Sequence, residues 1–474
     1  MAANPSASGL HNPAKEAVGR LIARARAAQA EFAKWPQLGV DEAALACGWA
    51  IMKPENNRVL AELAVRDSGL GNVEDKIAKN HRKTLGLLRD IAGVKTIGVI
   101  ADYPDRGITE IARPVGVVAA ITPSTNPGAT PANKIINAVK CGNAIILAPS
   151  PKGYSTAQKL VEFTHSELRK VGAPRDLVQL LPAPVTKASM FELMRQADLV
   201  AATGSQANIR AAYSSGTPAI GVGMGNVVSI VDASADLADA ARKIALSKAF
   251  DNATSCSSEN SLVILAPVYG AMIGQLAKQG GVMLDEGEKD RLQRLMFPDG
   301  KLGPAATAQA AERIAQMAGI GRARAAKFLI VEETGTGPEH PFSGEKLSPV
   351  LAVYQAADFD EAFALTARIC DYQGKGHSVS IHTRDEAQVM RLALEMPVAR
   401  VIVNQAHCLA TGGSFDNGLP FSLSMGCGTW GGNSFSDNMH WRHFLNITRI
   451  ARVIPERIPS EQEIFGGYFA KHGR

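Results

Sequence analysis

Residues 114–148 read PVGVVAAITPSTNPGATPANKIINAVKCGNAIILA, and the order of elements within them decides the fold. VGVVAAI (115–121) is an apolar, β-branched run of the kind that forms a strand buried on both faces. A helix is expected near Ala129 to Lys140, and Gly142 suits the position just past its end. NAIILA (143–148) is a second buried strand. A strand, a helical crossover and another strand make a parallel pair, because only antiparallel strands can be joined by a tight hairpin. The rhythm continues downstream. Ser155 is placed to cap a helix running to about Val171, and LVQLLPA (177–183), DLVAAT (198–203) and PAIGV (218–222) follow as strands with helices between them.

Upstream, the first hundred residues are expected to be helical. Val18, Leu21, Ile22, Ala25, Phe32 and Trp35 fall at helical spacing; Glu42 to Met52, Asn57 to Asp67 and Lys76 to Ala92 follow, with Ser68-Gly69 as a stop. KTIGVIADY (95–103) and GITEIA (107–112) flank Pro104-Asp105-Arg106-Gly107 and read as a hairpin. A second α/β region begins near Phe250. Its strands are SLVILAPV (261–268), KFLIVEE (327–333), LAVYQA (351–356), HSVSIHT (377–383) and ARVIVN (399–404), with a helix at Tyr269 to Gln279 and a Gly- and Ser-rich loop from Phe421 to Asn438. Two lobes with a cleft between them are expected, a common place for a ligand.

Composition narrows the function classes. The net charge of +5, from 50 basic and 45 acidic residues, is small and the bases are scattered, so no nucleic-acid partner is expected. No apolar run approaches the roughly 20 residues that span a bilayer, so no membrane partner is expected either. Six cysteines without a CxxC pair suggest neither a disulfide scaffold nor a metal centre. The start of the chain has no apolar signal core, and Glu16 and Glu31 argue against a transit peptide, which points to the cytoplasm.

Among residues that could carry chemistry, Cys256 lies in a polar loop, FDNATSCSSEN (250–260), between a helix and a strand. Such a loop gives a thiol the access a nucleophile needs, although Cys256 is also one cysteine among six. ATGSQANIRAAY (202–213) follows a strand and opens a helix, whose first amides could hold a phosphate. GVGMGN (221–226) is glycine-rich, but a strand follows it rather than a helix. Its glycines, Gly223 among them, suit close approach of backbone to a flat ligand or another chain.

Nine strings, taken in order, resemble the aldehyde dehydrogenase family and most of all its CoA-acylating branch: VRDSGLGNVEDKIAKNH (65–81), ITPSTNP (121–127), NAIILAPSP (143–151), ATGS (202–205), AAYSSGTPAIGVGMGN (211–226), FDNATSCSSEN, GEKLSPVLAVY (344–354), GHSVSIHT (376–383) and GCGTWGGNS (426–434). The resemblance implies two Rossmann-like parallel-sheet lobes and a β-hairpin oligomerisation arm. The cofactor-binding domain would comprise 1–96 and 113–249, the thiol domain 250–425, and the arm 97–112 with 426–474. It also implies roles. Cys256 would attack the aldehyde, hydride would pass to NAD or NADP, and coenzyme A would take the acyl group from the resulting thioester. Thr125 and Asn126 would face the oxyanion. His377 would be an acid/base or CoA-side group, Glu345 would meet the nicotinamide ribose, and Gly204 and Ser205 the pyrophosphate. Ser150 and Lys152 stand where a 2′-phosphate could be accepted.

Hydrolytic relatives carry a water-activating glutamate where this chain has Val222, and no carboxylate occurs in Ala219 to Val231. The departure favours transfer to a thiol over hydrolysis. The segment SFDNGLPFSLSMGCGTWGGNSFSDNMHWRHFLN (414–446) resembles members of the branch that act on sulfoacetaldehyde, with acetaldehyde or propionaldehyde as the alternative. His407 and Arg442, with His440 and His443 nearby, are then candidates for holding the sulfonate. A homodimer or homotetramer is expected through the arm. Residues 1–12 are polar and carry no amphipathic packaging tag, and no alcohol dehydrogenase half is expected beyond Arg474.

Overall fold

The computed structural model describes residues 13–474; the polar stretch 1–12 lies outside them. The expected parallel pair is present. Val117–Thr122 and Ala144–Pro149 run parallel and every residue of both is buried. They lie within a five-stranded parallel sheet ordered Val178–Leu180, Ala144–Pro149, Val117–Thr122, Leu199–Thr203, Ala219–Val222. The chain builds outward from Val117–Thr122 on one side and then returns to the other. The loops after Val117–Thr122 and Leu199–Thr203 therefore diverge and leave a crevice at the carboxyl ends of the strands. Helices cover both faces, and Val18, Leu21, Ile22, Ala25 and Phe32 of helix Pro13–Phe32 are buried in this core. Trp35 follows the end of that helix and packs against the core only in part.

The second sheet has seven parallel strands in the order Gly281–Met283, Phe328–Glu332, Val350–Ala356, Glu259–Leu265, Val227–Val231, Val379–His382, Val401–Val403. Two of these depart from the sequence reading. Val227–Val231 pairs with Glu259–Leu265 and Val379–His382, so it joins the second sheet although it lies before residue 250. Gly281–Met283 was not foreseen; at three residues on a sheet edge it is too short to show a pattern.

The hairpin forms as read. Gly98–Tyr103 pairs antiparallel with Ile108–Pro114, and Gly107 turns the chain at φ 63°. Leu445–Ala451 adds a third antiparallel strand to Ile108–Pro114. Ser155 does not cap its helix. That helix spans Tyr154–Lys170 with Gly153 at its cap position, and the Ser155 hydroxyl donates to Asp67 instead.

Candidate active site

A cavity of about 500 Å³ occupies the crevice of the five-stranded sheet. Thr122 to Asn126, Ser150 and Thr203 to Gln206 line it from the strand ends, and Thr254 to Ser257 with Glu345 line it from the second lobe. Cys256 is among the latter.

The turn before Cys256 is unusual. Asp251, Asn252 and Ala253 have φ of 50°, 51° and 56°, a left-handed run that residues with a Cβ adopt only at a cost of about 1–3 kcal/mol each. Ion pairing holds it. Asp251 is fully buried and its carboxylate accepts from Lys76 Nζ at 3.0 Å, Lys79 Nζ at 2.5 Å, Thr254 Oγ1 at 2.6 Å and the Asn72 amide at 3.0 Å. Burial alone would raise this carboxyl's pKa; Lys79 and Lys76 outweigh it and hold the group below its ordinary value. On the other side, a Cβ at Gly225 would stand 2.4 Å from the Cys256 carbonyl oxygen, so only glycine lets the loops approach so closely.

Cys256 Sγ lies 3.6 Å from His377 Nε2. His377 is buried. Its Nδ1 meets Ser378 Oγ at 2.7 Å, and its carbonyl oxygen accepts from Arg400 Nη1 at 3.2 Å. Burial, helped by the Arg400 charge, pushes the imidazole down to about 3. Burial, helped by Glu345, pushes the Cys256 thiol up to about 12. Burial likewise raises Glu345 to about 8, against an opposing hydrogen bond from the Gly225 amide. At neutral pH the three groups are therefore a thiol, a neutral imidazole and a largely protonated acid. The neutral imidazole can accept a hydrogen bond from the thiol beside it.

Thr125 and Asn126 line the cavity as expected. Lys79 Nζ donates to Asn126 Oδ1 at 2.8 Å, and the Thr125 carbonyl accepts from Lys76 Nζ at 3.2 Å. The lysines that hold the thiol's turn thus also hold the segment opposite it. Gly204, Ser205, Gly223 and Ser150 line the same cavity. Ser205 caps helix Gln206–Tyr213 by accepting from the Asn208 amide.

Three sequence-chosen residues lie elsewhere. Lys152 is exposed in the turn Pro151–Gly153 and does not line the cavity. His407 is fully buried behind the thiol's loop, with Nδ1 2.8 Å from the Ser257 carbonyl and 3.0 Å from Thr411 Oγ1, so it supports that loop and offers nothing to a substrate. Arg442 is exposed and stacks on Trp441, 5.1 Å from the ring centre. His440 pairs with Asp437 at 2.9 Å, in the same outer region.

Sequence reasoning also missed residues. Lys76, Lys79 and Lys83 of helix Val73–Ile91 are buried against the thiol's surroundings, so the bases that look scattered along the chain gather here in space. Their three- and four-residue spacing was the signal, since it puts cations on the face that Leu87 and Ile91 bury further along. Arg400, which ties His377 to the Gly426 carbonyl at 2.9 Å, left no such mark.

A thiol on a left-handed turn thus shares the crevice of a parallel sheet with the Asn126 amide and has His377 beside its sulfur. Residues 8–418 match the aldehyde dehydrogenase family, and the chain belongs to that family. It is 63% identical over 475 residues to a sulfoacetaldehyde dehydrogenase (acylating) of Cupriavidus necator, covering 99% of this chain and 96% of that protein. It is 36% identical to a succinate-semialdehyde dehydrogenase (acetylating) of Clostridium kluyveri, covering 95% and 99%. Among solved structures, an acetylating aldehyde dehydrogenase from Geobacillus thermoglucosidasius superposes with a TM-score of 0.90 at 36% identity, covering 94% of this chain and 98% of that one.

Proposed function

We propose that this chain is an NAD(P)-dependent, CoA-acylating aldehyde dehydrogenase whose aldehyde is sulfoacetaldehyde, interconverting it with sulfoacetyl-CoA. The observation that carries the acylating reading is the acid inventory of the cavity. Among the described residues that line it Glu345 is the one carboxyl group, and Val222 stands buried at a strand end where hydrolytic relatives carry a glutamate. The 63% identity to an acylating sulfoacetaldehyde enzyme supports the substrate.

In this reading Cys256 attacks the aldehyde carbon while its proton passes to His377, and the developing alkoxide is met by the Asn126 amide and the Thr125 segment. Donors placed where charge develops are worth several kcal/mol each. The cavity suits a nicotinamide cofactor: Thr122 and Thr130 line it with hydroxyls that are buried and have no partner among the described residues, and the helix start at Gly204 and Ser205 lies on the same wall. When bound, the nicotinamide supplies hydride transfer. Glu345 would hold its ribose, and Ser150 lies where a 2′-phosphate could be told from a hydroxyl. Once His377 has released that first proton to solvent, it takes the proton of the CoA thiol as the CoA sulfur attacks the Cys256 thioester, and passes it to the departing Cys256 sulfur, which restores the enzyme thiol.

The wider assignments are part of the same proposal. Cofactor binding belongs to 1–96 and 113–226, thiol chemistry to 227–425, since Val227–Val231 lies in the second sheet, and assembly to the arm. The arm and the C-terminal segment carry Val99, Tyr103, Ile450, Val453 and Phe465 exposed, which supports a homodimer or homotetramer that covers them. Six unpaired cysteines suit a reducing cytoplasm.

The test is reduction of NAD⁺ or NADP⁺ by sulfoacetaldehyde, followed at 340 nm with and without CoA. Sustained turnover only with CoA is expected, with about one equivalent of reduced cofactor per thiol in its absence. Equal rates without CoA would overturn the acylating reading, and a strong preference for propionaldehyde would overturn the substrate.

A further inference from the structure

Helix Val73–Ile91 buries three lysines, and they are not alike. Lys76 and Lys79 share the carboxylate of Asp251. Lys83 has no carboxylate partner among the described residues. It is 7% exposed, and its Nζ donates to two carbonyl oxygens, of Gly412 at 2.7 Å and of Gly413 at 3.3 Å. One of its three N–H bonds is left over. Its neighbour Arg82 stacks on Phe415 and Phe421 and donates from Nη2 to Ser414 Oγ at 2.6 Å and the Leu409 carbonyl at 3.5 Å, but among the described residues no carboxylate pairs with the guanidinium and the buried Nε has no partner. Asp416, which accepts from Ser414, and Asp90 act on these cations only at longer range, without an ion-pair contact, so an anion placed directly against the pair would be favourable.

Position says where that anion would come from. Lys83 lines the cavity that Cys256 lines. A small recess adjoins that cavity and shares Lys83, Asn126 and Ser255 with it, and Arg82 forms part of its wall. Ser255 is the residue before the thiol. Burial and the Arg82 charge bring Lys83 down to about 7, so its proton is easily lost until a negative group arrives.

We propose that Lys83, backed by Arg82, is the counter-ion site for the anionic tail of the aldehyde, and that this pair sets the preference for a sulfonate-bearing substrate. The assignment rests on the substrate reading above. A sulfonate stays ionised throughout the working pH range and offers three acceptor oxygens. In sulfoacetaldehyde one carbon separates its sulfur from the carbon that Cys256 attacks, so the tail must lie in the thiol's own cavity. A neutral aldehyde leaves Lys83 and Arg82 unpaired. The site takes the role that sequence alone gave to His407 and Arg442.

The experiment compares kcat/KM for sulfoacetaldehyde and propionaldehyde, with CoA and cofactor saturating, in the wild type, Lys83→Met and Lys83→Arg. The sulfoacetaldehyde-to-propionaldehyde ratio is expected to fall about 100-fold in Lys83→Met, the order of effect seen when one partner of a buried charge pair is removed. Lys83→Arg, which keeps the charge, should restore most of the ratio. Ethanesulfonate should inhibit the wild type competitively against the aldehyde, and at least 10-fold more weakly the Met variant. A ratio that does not change in Lys83→Met overturns the assignment, as does a loss that falls equally on both aldehydes. A wild type that oxidises propionaldehyde but not sulfoacetaldehyde overturns the substrate reading instead, and is recognised before any variant is made.

Discussion

Lys79 Nζ lies 2.8 Å from Asn126 Oδ1, and this contact fixes which end of the Asn126 amide faces the cavity. An ammonium group only donates, so it must meet the carbonyl end. The amide NH₂ is then free for an alkoxide formed on Cys256. Asn126→Ala should therefore lower kcat by about 10²- to 10³-fold, the usual loss when one oxyanion donor is removed. The unfolding temperature should move by only a few degrees. Steady-state kinetics beside a melting curve checks this, and a loss confined to KM would argue against the oxyanion role.

The same lysine, with Lys76, surrounds Asp251, and here the expected effect is on stability. The Asp251 carboxyl is held below its ordinary value in the folded protein. Its contribution is thus fully present above the unfolded value near 3.9 and is lost as pH falls through the depressed folded one. Asp251→Asn should be destabilised by about 3–5 kcal/mol at pH 7, because two buried ammonium groups lose their carboxylate. The gap to the wild type should narrow as pH is lowered below about 4. Denaturant unfolding at pH 7 and at about pH 3 would show it.

The Cys256 thiol is shifted in the opposite direction to many reactive cysteines, whose thiols are lowered. Burial and Glu345 raise Cys256 to about 12, and His377 is held near 3, so the resting pair is neutral. The rate of Cys256 alkylation by iodoacetamide should then be low at pH 7 and climb steadily to pH 10 without a plateau. A plateau between pH 6 and 7 would mean a thiolate–imidazolium pair instead. His377→Gln should slow acyl transfer to CoA in single-turnover experiments more than it slows alkylation at high pH.

Much of this arrangement was legible in the chain, and the limits have physical causes. Buried strands such as Val117–Thr122 announce themselves because both faces are apolar. The helix start at Ser205 and the loop around Cys256 could be located because both sit between regular elements. Gly281–Met283 could not, since three residues carry no period. The electrostatics were hidden most. Lys83 and Asp251 are 168 positions apart and meet the same site only after two lobes have folded, while His407 looked available in the sequence and is sealed by Ser257 and Thr411. A charged residue's role depends on what it is buried against, and periodicity alone does not report that.

Glu345 lines the same cavity as Cys256. Burial raises it to about 8, so at neutral pH most of it is protonated, and it ionises as pH rises through that value. A carboxylate accepts hydroxyl hydrogen bonds more strongly than a carboxylic acid does. If Glu345 holds the nicotinamide ribose, the Kd for the oxidised cofactor should fall as pH goes from 7 to 9, by up to about 10-fold. Glu345→Gln, which keeps the shape but cannot ionise, should bind more weakly at pH 9 and show no such slope. Fluorescence titration of the free enzyme with NAD⁺ and with NADP⁺ measures this without turnover, so effects on the chemical step cannot imitate it. A slope that persists in Glu345→Gln would move the titrating group elsewhere, and the ribose role of Glu345 would fall with it.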